Sequence, residues 1–195
     1  MKDLLIKRFL YYKELGDKTF VQLSEEEIFW QYNEESNSVA VIVKHIAGNM
    51  LSRWTNFLQE DGEKGWRNRD SEFVNTFRTK AKVLEYWEKG WKCLLEALEQ
   101  ISEENISYTI YIRNEPHSVL DAVLRQLAHY PYHIGQIIYI AKMLKNGDWK
   151  TLSIAKNKSS EFNKMMTEKS GNTTQNSSPV CFANSDEVRD EYKTE

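Results

Sequence analysis

The chain has 195 residues, 41% hydrophobic and 28% charged, which suits one domain with a substantial core and excludes a disordered or membrane-embedded class. Its net charge of −3, with both signs interspersed, argues against a nucleic-acid binder, which carries a basic excess on one face. No apolar run approaches the roughly 18 residues of a membrane helix, and the charged opening "MKDLLIKRFLYYKELG" does not read as a signal peptide, so a cytoplasmic protein without membrane partners is expected.

In chain order, Leu5, Ile6, Phe9 and Tyr12 give a helical spacing and predict a first helix over 3–20. Ser24 and Glu27 in "SEEEIFWQY" form a capping box for a short helical turn. After the polar loop 33–38, Asn37 or Ser38 caps a second helix over 39–58, whose stripe is Val43, Ile46, Met50, Trp54 and Phe57. Two glycines and dense charge make 59–73 a long irregular connection. A third helix is expected over 79–100, on the stripe Leu84, Trp87, Trp91, Leu94 and Leu98.

Alternation over 106–118, with "NEP" as the turn signal, predicts a strand or hairpin. Ser118 then starts a fourth helix, with Asp121 completing its cap, and Asn146-Gly147 stops it. Four amphipathic helices and one short hairpin predict an all-α four-helix bundle over 1–156. An ordered or semi-ordered extension over 157–170 and a polar, disordered tail over 171–195 complete the expected organisation.

The stretch "LAHYPYHIGQII" (127–138) holds two histidines four residues apart, with a proline between them. Apolar positions Val119, Val123, Leu127, Tyr130, Ile134, Ile137, Ala141 and Leu144 stay in helical register through Pro131. One continuous but bent helix follows, because burying that stripe outweighs the about 3 kcal/mol that an interior proline costs. His129 and His133 then lie about 40° apart on the shoulder of the stripe, in a polar row with Gln126 and Gln136. His45 has the same offset from Ile46 on the second helix and is the natural third member. Three neutral imidazoles would leave an open position on a divalent ion for water or substrate. The competing reading is a set of half-buried histidines bonded to backbone or solvent.

Other residues carry two readings each. Gln136 and Asn49 could orient a ligand or simply satisfy the helix. Trp66, Arg67 and Arg69 could clamp a carboxylate-bearing substrate or thiol, or the arginines could pair with Asp61, Glu63 and Asp70. Gly48 and Gly135 read as close-approach positions. Tyr132 points away from the core, towards a partner subunit. His117, Cys93 and Cys181 are set aside as a loop histidine, a buried thiol and a tail thiol. No carboxylate stands out as a general base.

The segments "IVKHIAGNMLSRWTNFL", "DGEKGWRNRDSEF" and "LRQLAHYPYHIGQIIYIAKML", with the H-x-x-x-H-x-G-Q core, resemble the DinB-like (damage-inducible) superfamily of bacterial metal-binding four-helix bundles. The match is closest to a branch of unassigned function and extends to about residue 166. The resemblance implies three histidines from two helices on a divalent metal, usually zinc or nickel, often in a homodimer. By position the ligands are His45, His129 and His133, with no departure. Relatives include S-transferases that use bacillithiol or mycothiol and a maleylpyruvate isomerase. A metal-dependent transfer of a low-molecular-weight thiol to an electrophile is therefore implied by analogy, with a non-enzymatic metal-binding or ligand-sensing bundle as the alternative.

Overall fold

The computed structural model describes residues 1–171, with side chains to Lys169. The described residues divide between two compact units, the first of them Met1–Leu152. It contains helices α1 (Lys2–Gln22), α2 (Val39–Trp54), α3 (Lys80–Glu99) and α4 (Val119–Lys145), with strands β1 (Thr109–Ile112) and β2 (Glu115–Ser118) between α3 and α4. In the second unit, α5 (Ser159–Gly171) is an exposed, mostly polar helix. The tail expected over 171–195 lies outside the described residues beyond Gly171.

The all-α bundle with a short hairpin is present as expected. Helix α2 packs chiefly on α3, and α1 on α4, while α2–α4 and α1–α3 contacts close the ring. The core is aromatic: Phe9, Trp54, Trp87, Trp91 and Tyr130 are fully buried. Gly90 allows the tightest helix approach, since a Cβ there would sit 2.8 Å from the Ala47 Cα. Gly135, by contrast, faces open space, so it is no close-approach position.

Local signals set most of the boundaries. Ser24 and Glu27 make both capping-box bonds, the Ser24 N–H to Glu27 Oε2 (2.6 Å) and the Glu27 N–H to Ser24 Oγ (3.2 Å). Ser38 and Ser118 accept from the N–H groups of Val41 and Asp121. The Asp121 carboxylate does not return to its cap, because it bonds the His117 Nδ1 instead. Helix α2 ends at Trp54 rather than near Leu58. Thr55 turns its hydroxyl back to the Leu51 carbonyl (2.7 Å), and Asn56 adopts φ +48°, a left-handed conformation that asparagine tolerates. Phe57 stays buried nonetheless, in the loop.

The hairpin turn is Arg113-Asn114, both at positive φ, as a two-residue type I′ loop requires. Pro116, expected in the turn, lies in β2 opposite Tyr111. Two residues from such a turn the pair is non-hydrogen-bonded, so the missing proline N–H is not needed. The outward Tyr111 carbonyl accepts from the Gly62 N–H (2.8 Å), and Asp61 accepts from the backbone N–H groups of Arg113 and Asn114. These bonds tie the connection after α2 to the hairpin. Helix α4 runs unbroken through Pro131, and Asn146 at φ +46° stops it.

Candidate metal centre

Helix α2 brings His45 to one wall of the site, and α4 brings His129 and His133, one turn apart, to the other. One ligand atom from each of the three imidazoles can be chosen so that all lie within 4.8 Å of one another. The Nε2 atoms of His129 and His133 are 3.1 Å apart. Two nitrogens on a tetrahedral zinc stand about 3.3 Å apart, given bonds of about 2.0–2.1 Å, so this pair has a ligating separation.

The Nδ1 atoms are held away from the 3.1 Å Nε2 pair of His129 and His133. Each faces an oxygen: Glu72 Oε2 for His45 (2.9 Å), Gln126 Oε1 for His129 (3.2 Å) and Gln136 Oε1 for His133 (2.8 Å). An imidazole that donates through Nδ1 carries its lone pair on Nε2, so these contacts fix the tautomer needed for ligation. The two Nε2 atoms can share a hydrogen bond or a cation, according to the tautomers. The three-histidine cluster could therefore hold a metal ion.

Burial, then the neighbouring His133 and His45 imidazoles, pushes the His129 pKa down to about 3. His133 is lowered as well, again mainly by burial. Both rings are thus neutral at physiological pH, the form that binds metal.

Glu72 is the residue that sequence reasoning missed. It sits in a short 3-10 turn, Asp70–Phe73, inside the connection expected to be merely irregular. Lys44 pins that turn by donating to the carbonyls of Ser71 (2.7 Å) and Val74 (2.8 Å). Gly48 leaves the space for the carboxylate, since a Cβ there would lie 2.5 Å from Glu72 Oε1. Phe73 of the same turn stacks on the His45 ring, with centroids 5.0 Å apart. Burial would raise the Glu72 carboxyl, but the bonds from His45 and Arg67 overcome it and hold the carboxyl below its usual range.

Arg67 meets Glu72 through two bonds, Nε to Oε1 (2.8 Å) and Nη2 to Oε2 (3.0 Å), and reaches Glu63 through Nη1 (3.2 Å). Its guanidinium thus braces the carboxylate behind His45. Arg69 lies over the Phe73 ring, 5.1 Å from its centroid. Trp66 is 62% exposed and is not part of the cavity wall beside the histidines. Asn49 is buried and accepts from the Tyr130 hydroxyl (3.0 Å), which itself accepts from Trp54 Nε1 (3.1 Å). Cys93 is half-buried and burial pushes its thiol up, which disfavours the thiolate.

A cavity of about 240 Å³ opens beside the cluster, walled in part by His45, His129, Asn49 and Gln126. Among the described helices none is long and apolar enough to cross a membrane.

No functionally curated protein matches the chain. Among solved structures it is similar to one described as the conserved protein of a locus from Enterococcus faecalis, at 18% identity and a TM-score of 0.57. That match covers 73% of this chain and 96% of the other, a likeness of fold. A family model described as "Protein of unknown function (DUF1572)" matches residues 2–158. The chain, matched over most of its length, belongs to that family.

Proposed function

We propose that this protein is a cytoplasmic metalloprotein of the DinB-like superfamily, in which His45, His129 and His133 hold a divalent ion, zinc or nickel. The observation that carries the reading is the clustering of the three imidazoles, with Glu72, Gln126 and Gln136 each engaging an Nδ1. Nδ1–H donation to such acceptors leaves Nε2 as the ligating atom, as in metal-bound histidines.

The activity we assign is transfer of a low-molecular-weight thiol to an electrophilic substrate. A divalent ion with an open position lowers the pKa of a coordinated thiol, so that a nucleophile exists at neutral pH. The residues of the chain orient the imidazoles and shape the neighbouring cavity. Asn49, Arg67, Arg69 and Gln136 act from that wall or behind it, and Trp66 stands on the loop outside.

The alternative is a non-enzymatic metal-binding or ligand-sensing bundle. It draws on Glu72, the carboxylate buried beside the histidines, having both oxygens engaged by His45 and Arg67, which leaves it unavailable as a general base. A screen of candidate thiols with a model electrophile separates the two. Turnover that requires added zinc or nickel and disappears in His129→Ala supports the transferase. Stoichiometric metal with no turnover across the screen leaves the sensing bundle.

We further propose a homodimer through α4. Tyr132, Tyr139 and Met143 are 62%, 66% and 48% exposed at spacings that place them on one helix face. Light scattering on the purified protein would give twice the chain mass, and Tyr132→Glu would give a monomer.

A further inference from the structure

The cavity beside the histidines has a second feature that metal binding does not explain. Five arginines stand on its wall: Arg53 and Arg67 inside, and Arg69, Arg113 and Arg125 exposed around the mouth. Arg67 is answered by Glu63 and Glu72, and Arg113 reaches Glu63 (3.2 Å). Among the described residues Arg125 meets the His117 ring, at 3.4 Å, and no carboxylate. Arg69 has the Phe73 ring and, among the described residues, no carboxylate.

Arg53 is the extreme case. It is 5% exposed, and its Nε and Nη1 have no hydrogen-bond partner among the described residues. No ion pair among the described residues includes it; burial and the like charges of Arg125 and Arg67 disfavour its charge, and Glu63 and Asp61 act on it only at a distance. An unpaired buried charge is costly to keep out of water. The fold nevertheless makes room for it: a Cβ on Gly62 would come within 3.0 Å of Arg53 Cδ and 3.1 Å of its Nη1. Ser52, beside it in sequence, pins the same loop by donating to the Gly62 carbonyl (2.8 Å) and accepting from the Lys64 N–H (3.2 Å). The loop is therefore fastened over a buried guanidinium that makes no direct ion pair among the described residues.

We propose that this cavity is a subsite for a small molecule carrying two anionic oxygen groups, with Arg53 supplying the buried positive charge and Arg69, Arg113 and Arg125 closing around it. Carboxylate and phosphate share the chemistry that guanidinium forks recognise. A volume of about 240 Å³ admits a metabolite-sized dianion. Because His45 and His129 belong to the same wall, a ligand held here would present its far end to the histidine cluster. The inference names the substrate class for the metal reading above, but its evidence is the arginine arrangement and not the metal.

The test is calorimetric titration of the full-length protein with sodium succinate and, separately, inorganic phosphate, against sodium chloride at matched ionic strength. The proposal expects saturable binding of at least one dianion and none of chloride; whichever binds tighter identifies carboxylate or phosphate as the group recognised. Arg53→Met is expected to weaken binding at least tenfold while leaving the unliganded protein as stable as wild type or more so. A purely structural arginine would instead lower the melting temperature when replaced. Arg125→Gln, on the exposed rim, is expected to weaken binding severalfold and decides the question if Arg53→Met does not fold. Binding no better than chloride, or unchanged in the folded variants, overturns the proposal. Metal analysis beside the titration keeps the two readings apart: dianion binding in a wild type that takes up no metal sinks only the metal, metal without dianion binding in the wild type sinks only the subsite, and dianion binding retained in His133→Ala shows that the subsite stands without the metal.

Discussion

The Glu72 carboxylate accepts from His45 Nδ1 at 2.9 Å, in space that only a residue without a side chain at position 48 can provide. A residue in a loop, a histidine on α2 and a glycine one turn further along α2 thus form one device that sets the direction of a candidate ligand. Arg67 closes it from behind with two bonds.

Gly48→Ala is expected to lower metal affinity about 10–100-fold, the usual effect of disturbing a ligand's outer partner. Alanine favours the helix by about 1 kcal/mol, so the variant should fold. Competition with a chromogenic chelator measures the affinity. Wild-type affinity in a folded variant would show that Glu72 does not control His45.

Glu72→Gln should cost stability as well as affinity. It removes one partner of a buried ion pair and leaves the Arg67 guanidinium without its full counter-charge, a change that typically costs about 3–5 kcal/mol. Urea unfolding of the metal-free protein reads the loss. A change below about 1 kcal/mol would mean that the pair adds nothing over its surroundings.

Stability of the metal-free protein should fall with pH in a defined window. His129 has its folded pKa lowered from 6.5 to about 3, so between those values the unfolded chain binds a proton that the folded chain refuses. Stability is then full above about pH 6.5, declines as pH falls and levels off below about 3 as far as this group is concerned. His129→Gln should flatten the slope of melting temperature against pH in that interval. An unchanged slope would mean that His129 titrates normally.

Tyr130→Phe removes a hydroxyl that accepts from Trp54 and donates to Asn49, both buried. It should destabilise by about 1–3 kcal/mol, the cost of leaving buried polar groups unpaired. Chemical denaturation gives the number, and a neutral substitution would show that water replaces the hydroxyl.

Pro131 occupies a helix interior, where proline costs about 3 kcal/mol relative to alanine. Pro131→Ala should raise the melting temperature. Lower stability would show that the fold depends on the backbone shape proline imposes between His129 and His133.

Much of this was legible in sequence because it is local or periodic. The apolar stripe carried through Pro131 predicted the continuity of α4, and the shared shoulder offset of His45, His129 and His133 predicted that they converge. Gln126 and Gln136 stood in the same polar row and proved to be the Nδ1 partners of the α4 histidines. Contacts set by loop paths were not legible. Glu72 lies in the connection after α2, and only the fastening of residues 59–74 by Lys44, Ser52 and Asp61 brings it to the site and lays Gly62 over Arg53 of α2. The hairpin turn was misplaced for another reason: Pro116 is a strong turn residue, yet the Arg113-Asn114 pair could take the two positive φ values.

Elemental analysis of untagged protein, wild type beside His45→Ala and His133→Ala, tests the central claim most directly. The account predicts close to one zinc or nickel ion per chain in the wild type and its loss in both variants, each still folded. No metal in the wild type, even after incubation with zinc or nickel, would contradict it and leave the three histidines as partners of Glu72, Gln126 and Gln136 alone.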